Sequence, residues 1–349
     1  MICKIVNNMN TNMNTSLVIT TINSPNKAIN LFSKGCKKNN WNFIIIGDKK
    51  TPKNFLLKYG NFISLRKQKT LTFKFSKNCP INNYSRKNIG YLLSFKNGSD
   101  FIVESDDDNI PKNLFFNKIN LSHKTESIKN KNWINIYDLF LKKKKQNLIW
   151  PRGIPLEEIS KNKIKIIKKK KKFDFFLQQG VCEGNPDVDA IYRLINRKIE
   201  IRFKNYKINL NKSYSTFNSQ NTIWHKSLAP LMYLPVTCSM RCTDILRSLI
   251  ALRILQINDL KVLFFGTNMF QKRNSHNLLS DFEQEIQMYL KNGHIFDILK
   301  NINLKKGRQF FLYNLEKCYK KLVEKKIFIK KELFFLKAWI KDLKNIYRY

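Results

Sequence analysis

Acidic residues are scarce in this 349-residue chain: 25 Asp and Glu face 65 Lys and Arg, a formal net charge of +40 at pH 7. Long apolar runs are missing as well. No stretch approaches the ~18 consecutive apolar residues of a membrane-spanning helix, so no transmembrane segment is expected. The opening MICKIVNNMNTNMNTS has neither the apolar centre of a secretory signal nor an arginine, which argues against signal and transit peptides. Residues 1–15 read as a disordered N-terminus. The seven cysteines contain no CxxC pair. The nearest two, Cys238 and Cys242 in CSMRC, read as buried thiols rather than a metal pair, and the set fits a reducing, cytoplasmic compartment. Zinc-finger spacing, RNA-binding signatures and internal repeats are absent, so no specific nucleic-acid partner is expected.

The basic excess has a compositional explanation. Lys, Asn, Ile and Phe are abundant together, as drift in AT-rich coding sequence would produce. The lysines concentrate in LKKKKQN (141–147) and IKIIKKKKKF (164–173), which read as solvated loops or helix faces. General attraction to polyanions, including peripheral membrane contact, survives this argument.

The patterned part is α/β. SLVITTI (16–22) reads as a buried strand, and NSPNKAINLFSKGCKKN as a helix capped by Ser24 with Pro25 in its first turn. WNFIIIGD (41–48) is a second strand, completing a βαβ unit with a parallel sheet. NYSRKNIGYLLSFKNG (83–98) is a helix closed by Gly98, followed by a third strand, DFIVESDDD. WINIYDLF, FDFFLQ and IEIRF are shorter strand candidates, and helices dominate after residue 243. The strand order is not readable. In open parallel sheets, ligands bind beyond the carboxyl ends of the strands. Thr20, Thr21, Asp48 to Thr51 and Asp106 to Asp108 all lie at such ends, and Arg86 and Lys87 are cations suited to phosphate.

Three adjacent carboxylates in a basic chain need a cation, donors or open water. Mg²⁺ and Mn²⁺ favour carboxylate oxygens and bridge them to substrate phosphates. In an extended strand Asp106 and Asp108 share one side and can hold one Mn²⁺ or Mg²⁺, while Asp107 points away toward ribose hydroxyls or backbone donors. The alternative is an aspartate-rich turn before NIP.

Several segments together resemble the GT-A glycosyltransferases of the STELLO type, and more distantly the reversibly glycosylated polypeptides, which include UDP-arabinopyranose mutases. They are VITTINSPNKAI, IIIGDKKTP, YSRKNIGYL, ESDDDN, WPRGIPL, QQGVCEGNPDVDAIYRL, FNSQNT, LPVTCSMRCTDILR and RNSHNLLSDFEQEI. The resemblance covers residues 16–292 and leaves out the lysine inserts and the tail after 300. Plant members carry a membrane anchor that is not seen here, so a Golgi role is not expected to carry over.

The resemblance implies a Rossmann-like GT-A core with a mainly helical C-terminal region. A nucleotide-sugar-binding half would span 16–130, an acceptor-side half 131–260, and a Lys-rich helical region 261–349. Asp106 and Asp108 would hold the metal on a donor diphosphate, with Thr20, Asp48, Lys50 and Arg86 around the nucleotide. WPRG nominates Arg152, either as a diphosphate clamp or as a glycosylated arginine. MRCTDILR nominates Asp244, as general base or acceptor contact, or merely as a residue of a helix N-cap. Asp187 and Asp189 form either a second acidic pair or a Pro-directed turn. His225 is either a metal ligand or a packed histidine, and His276 a surface residue.

The expected activity is metal-dependent transfer of a sugar from a nucleotide donor, with UDP as the nucleotide, to an unspecified acceptor. The rivals are a UDP-sugar mutase or self-glycosylating protein, and a degenerate fold that binds polyanions.

Overall fold

The computed structural model describes residues 13–142, 148–161, 163–196 and 199–347. Most of the expected disordered N-terminus and most of the 141–147 lysine run lie outside the described residues.

The N-terminal third builds the expected unit. Strand β1 (Thr15–Thr21), helix α1 (Lys27–Lys38) and strand β2 (Asn42–Gly47) are followed by β3 (Asn61–Ile63) and short helices α2 (Leu65–Thr70) and α3 (Lys74–Asn78). Helix α4 (Lys87–Lys96) leads into β4 (Phe101–Ser105). Alternation along the strands explains their unbroken apolar runs. Leu17 and Ile19 face the α1 side, whereas Val18, Ile44, Ile46 and Ile102 belong to the cluster that includes α4. Gly90 permits the close approach of α4: a Cβ there would lie 2.4 Å from Val18. Asn26, not Ser24, caps α1, accepting the Ile29 N–H at 3.0 Å, and Pro25 precedes the cap.

The chain continues through β5 (Asn109–Pro111), β6 (Ser122–Ile128), β7 (Ile166–Asp174), β8 (Leu177–Gly180) and β9 (Glu183–Gly184). Helix α5 (Ala190–Ile195) and strands β10 (Lys207–Asn209) and β11 (Asn221–His225) follow. Helix α6 (Thr243–Ile257), β12 (Val262–Phe265), β13 (Met269–Gln271) and helices α7 (Leu278–Lys300), α8 (Phe311–Glu324) and α9 (Glu332–Tyr347) complete it.

A ten-stranded sheet runs β3-β2-β1-β4-β11-β8-β12-β10-β6-β7. Its first four strands are parallel, and β11 turns the sheet mixed by pairing antiparallel with both β4 and β8. The α/β, Rossmann-like core is therefore present. Its switch of winding direction falls between β1 and β4, which opens a crevice at their carboxyl ends. A three-stranded sheet, β5-β13-β9, ties the segment after the aspartate triplet to residues 183–184 and 269–271.

Several expectations change. The second lysine run is neither loop nor helix but β7, an exposed edge strand paired only with β6. Lysines at a sheet edge discourage further strand addition, so this placement is compatible with strand geometry. WINIYDLF carries a 3₁₀ turn at Ile136–Leu139 instead of a strand. The expected boundary at 260/261 falls inside the sheet, because β12 pairs with β8 and β10.

The C-terminal helices are bound into the core. Asp342 of α9 accepts the Lys74 and Phe75 N–H groups at 2.8 and 2.7 Å, capping α3. Fully buried Glu332 accepts from Tyr233 Oη at 2.5 Å and from the Val236 and Thr237 backbone. Among the described residues no helix is long and apolar enough to cross a membrane.

Candidate active site

Strand β4 ends at Ser105, and Asp106–Asp108 turn the chain into β5, with Asn109 N–H bonded to Asp106 O at 3.3 Å. The triplet is thus a turn as well as a strand end. Its three side chains consequently meet three different elements. Asp106 Oδ1 accepts from Lys87 Nζ at 2.7 Å and Tyr84 Oη at 2.8 Å. Asp107 Oδ2 accepts from Thr21 Oγ1 at 2.5 Å and Asn23 Nδ2 at 2.9 Å. Asp108 Oδ2 accepts from Gln271 Nε2 at 3.2 Å, while its Oδ1 is buried without a partner among the described residues. Burial, followed by the charge of Asp106, pushes the Asp108 carboxyl up to about 6. Burial also raises Asp106, against the pull of Lys87 and Tyr84.

A cleft of about 670 Å³ opens over this turn. Thr20, Thr21, Asp48, Lys50 and Arg86 line it together with all three aspartates. They play different parts. Asp48 is engaged by backbone: its Oδ1 and Oδ2 accept the Asn82 and Asn83 N–H groups at 2.9 and 3.0 Å, fixing the loop that forms one wall. Lys50 is exposed and makes no ion pair among the described residues. Arg86 is 3% exposed and its guanidinium is spent on Gln68 Oε1 and the Cys79 and Pro80 carbonyls. Lys87 is fully buried, its ammonium shared by Asp106, Tyr84 Oη and Ser219 O. Neither cation has the exposed donors expected of a phosphate ligand; Lys87 is the counter-ion of Asp106 instead.

The second acidic group lies deeper. Arg152 is 5% exposed and clasped by two carboxylates. Its Nε and Nη2 lie 2.9 Å from the two Asp187 oxygens, and its Nη1 and Nη2 lie 3.0 Å from those of Asp244. Nη1 also donates to Arg241 O, so all five N–H donors are engaged. This leaves Arg152 no free donor to serve as a diphosphate clamp or as a glycosylated arginine. Burial opposes ionisation of Asp187, but the charge and hydrogen bonds of Arg152 prevail and hold its carboxyl well below the usual range. Asp244 occupies the first turn of α6 but is not its cap, and it does not line the cleft.

Asp189 does not join Asp187 in an acidic pair. It caps α5 by accepting the Tyr192 N–H at 2.8 Å and takes the Trp150 indole N–H at 2.5 Å. The reason is local: entering a helix at residue 190 turns alternate side chains to different neighbours. A chain of contacts still joins the two acidic regions. Tyr84 Oη, bonded to Asp106, lies 2.5 Å from Ser219 Oγ, and Ser219 N–H reaches Asp244 Oδ2 at 3.3 Å.

His225 is packed, with its ring edge-on to Phe101 and Phe176 at 5.4 Å each, and burial lowers it to about 4. Cys238 and Cys242 are unpaired, and burial raises both thiols. His276, expected only at the surface, lines the cleft alongside Met240, Asn274 and Ser275.

Sequence reasoning also missed the pair that fixes β4 to α6. Arg247 grips Glu104 with two bonds of 2.8 and 2.9 Å, both residues being at most 1% exposed. Trp224 and Tyr91 donate to the same carboxylate. Glu104 directly precedes the strand end that carries the triplet, and Arg247 closes the MRCTDILR segment, so the signal was an acid and an arginine at apolar positions.

Comparison with known proteins bears on this geometry. A family model described as STELLO glycosyltransferases matches residues 241–348, from just before α6 to the end of α9. Two Arabidopsis thaliana proteins, Probable glycosyltransferase STELLO1 and Probable glycosyltransferase STELLO2, align over 326 residues at 27% and 26% identity. These matches make the chain similar to the STELLO glycosyltransferases. The alignments cover 87% of this chain, which spans 41% of the length of each relative. The tail after residue 300 was expected to lie outside the resemblance, yet the family model runs through it. The contacts of Glu332 and Asp342 show why the STELLO-like segment would include α9: it completes the core.

Proposed function

We propose that this chain transfers a sugar from a nucleotide diphosphate donor, with UDP as the nucleotide, to an acceptor, and that its fold is of the GT-A type. The observation that carries the reading is the Asp106–Asp108 turn at the carboxyl end of β4, which lines a cleft and holds a buried Asp108 oxygen that no group among the described residues satisfies. A buried carboxylate oxygen without a donor is costly, and a cation is a suitable partner for it. Among the described residues no group of three or more His, Cys, Asp or Glu side chains is arranged as a metal site.

Asp106 and Asp108 would hold Mn²⁺ or Mg²⁺, and the bound ion would neutralise the departing diphosphate. The other residues have separate tasks. Lys87 and Tyr84 fix the Asp106 carboxylate from below. Thr21 and Asn23 hold Asp107 against the β1 end. Asp48 anchors the 82–84 loop, and Lys50 is available to phosphate or base. The Arg152–Asp187–Asp244 cluster lies outside the lining of the cleft and, being buried, supplies no exposed base in this arrangement.

Calorimetric titration with UDP tests the reading. Affinity is expected to rise at least 10-fold with Mn²⁺, and this gain to disappear in Asp106→Ala and Asp108→Ala. UDP binding indifferent to both metal and substitution would remove its basis.

A further inference from the structure

Near the donor cleft, three arginines gather around α5, α7 and the segment after β13. Gln271 joins them to the triplet. Its side chain donates to Asp108, and its carbonyl accepts Asn185 N–H at 3.2 Å. Asn185 Oδ1 in turn accepts from Arg193 Nη1. Arg193 is 3% exposed, and among the described residues its only other side-chain bond is from Nη2 to Pro186 O at 2.7 Å. Among the described residues no carboxylate lies within ion-pair distance of it. Its Nε is buried without a partner.

Arg273 lies two residues beyond Gln271. It bonds Asp281 through Nη2 at 2.7 Å, and its Nε is likewise buried and unpartnered. Arg241 completes the group, 2.6 Å from Glu285 and 3.9 Å from the same Asp281. Burial, then the charges of Arg273 and Arg241, lower Arg193 to about 9, against the opposing charges of Asp187 and Glu285. Buried charges are normally paired, and a guanidinium N–H is a directional donor suited to carboxylate or phosphate oxygens. Met240, Asn274 and His276, neighbours of Arg241 and Arg273 in sequence, line the donor cleft, which sets these two arginines next to its wall; Arg193 is joined to it through Asn185 and Gln271.

We infer that Arg193 and Arg273 form a subsite for an anionic group, a carboxylate or phosphate, borne by the sugar being transferred or by its acceptor. This deepens the donor reading above and rests on it for the identity of the substrate, but not for the existence of the anion site.

Titrations with UDP, UDP-glucose and UDP-glucuronate, each with Mn²⁺, test the donor arm. Free glucuronate and inorganic phosphate, added with and without UDP, test the acceptor arm. If the group is on the donor, UDP-glucuronate is expected to bind at least 10-fold more tightly than UDP-glucose. If it is on the acceptor, the two donors bind alike while glucuronate or phosphate binds the UDP-loaded protein. In either case the effect is lost in Arg193→Gln and in Arg273→Gln, with UDP affinity unchanged. Arg273 lies outside helix and strand, so its variant remains informative if Arg193→Gln fails to fold. Equal binding of neutral and acidic ligands, with no anion bound, overturns the inference, as does full retention of the preference in both variants. Phosphate binding through Arg193 in a protein that ignores UDP would sink the donor reading and leave the subsite standing.

Discussion

Two carboxylate clusters lie within one short chain of contacts, and they are built on opposite plans. At the end of β4, Asp108 keeps a buried oxygen without a donor among the described residues, and the cluster faces an open cleft. Around Arg152, both Asp187 and Asp244 are closed over one guanidinium whose donors are all engaged. Saturated carboxylates serve the fold, because breaking such a set leaves buried charge behind. Unsaturated ones remain available to a ligand. Acidity in a sequence motif does not distinguish the two cases; the number of donors delivered by the fold does.

The sharpest way to break the comparison is Arg152→Ala. It strands two buried carboxylates and is expected to cost ~3–5 kcal/mol in urea unfolding, whereas Asp108→Ala should leave stability nearly unchanged. Equal losses in the two variants would erase the distinction. A pH effect of intermediate size follows from groups held away from their usual ionisation. Asp187 sits below its unfolded value of about 4, so its contribution is complete above that pH and is lost as acid protonates it. His225 is neutral in the fold down to about 4, against about 6.5 when unfolded, so stability falls as pH drops through that window. His225→Asn is expected to remove on the order of 2 kcal/mol of this pH dependence. An unchanged slope between pH 6.5 and 4 would show that the ring is solvated. The smallest effect concerns Asn26, which caps α1 and also donates to Asp107 O at 2.7 Å. Asn26→Ala should cost ~1 kcal/mol and weaken metal-dependent UDP binding a few-fold. A stability loss with no change in binding would separate the cap from the cleft.

The strand ends that meet in the cleft were legible because buried parallel strands are short, apolar and bounded by polar residues. Thr20, Asp48 and Asp106 each mark such a boundary. The partners were not. Arg86, Lys87 and Arg152 look like surface cations in a chain crowded with them, and only the three-dimensional fold buries them and supplies their acceptors. The same crowding disguised β7, whose lysines give no alternation to follow because its side chains are nearly all exposed. Of the two readings open for Asp189, the acidic pair fails for a different reason: residues two apart point one way only in an extended chain, and here the second caps a helix. Glu104 and Arg247 were hidden by distance, 143 positions apart in the chain yet paired within the core.

The cap that Asp342 places on α3 spans 268 positions. Read in order of synthesis, the N-terminal part is made long before its last acceptors exist. When residue 250 leaves the ribosome, the Lys74 and Phe75 amides and the Val236–Thr237 backbone still lack Asp342 and Glu332. Completion of the N-terminal part therefore waits on the final helix, a high-contact-order closure of the kind that slows folding. A chain stopped near residue 330 would lose more than a tail: it would retain every residue of the cleft while losing the groups that secure its walls from behind.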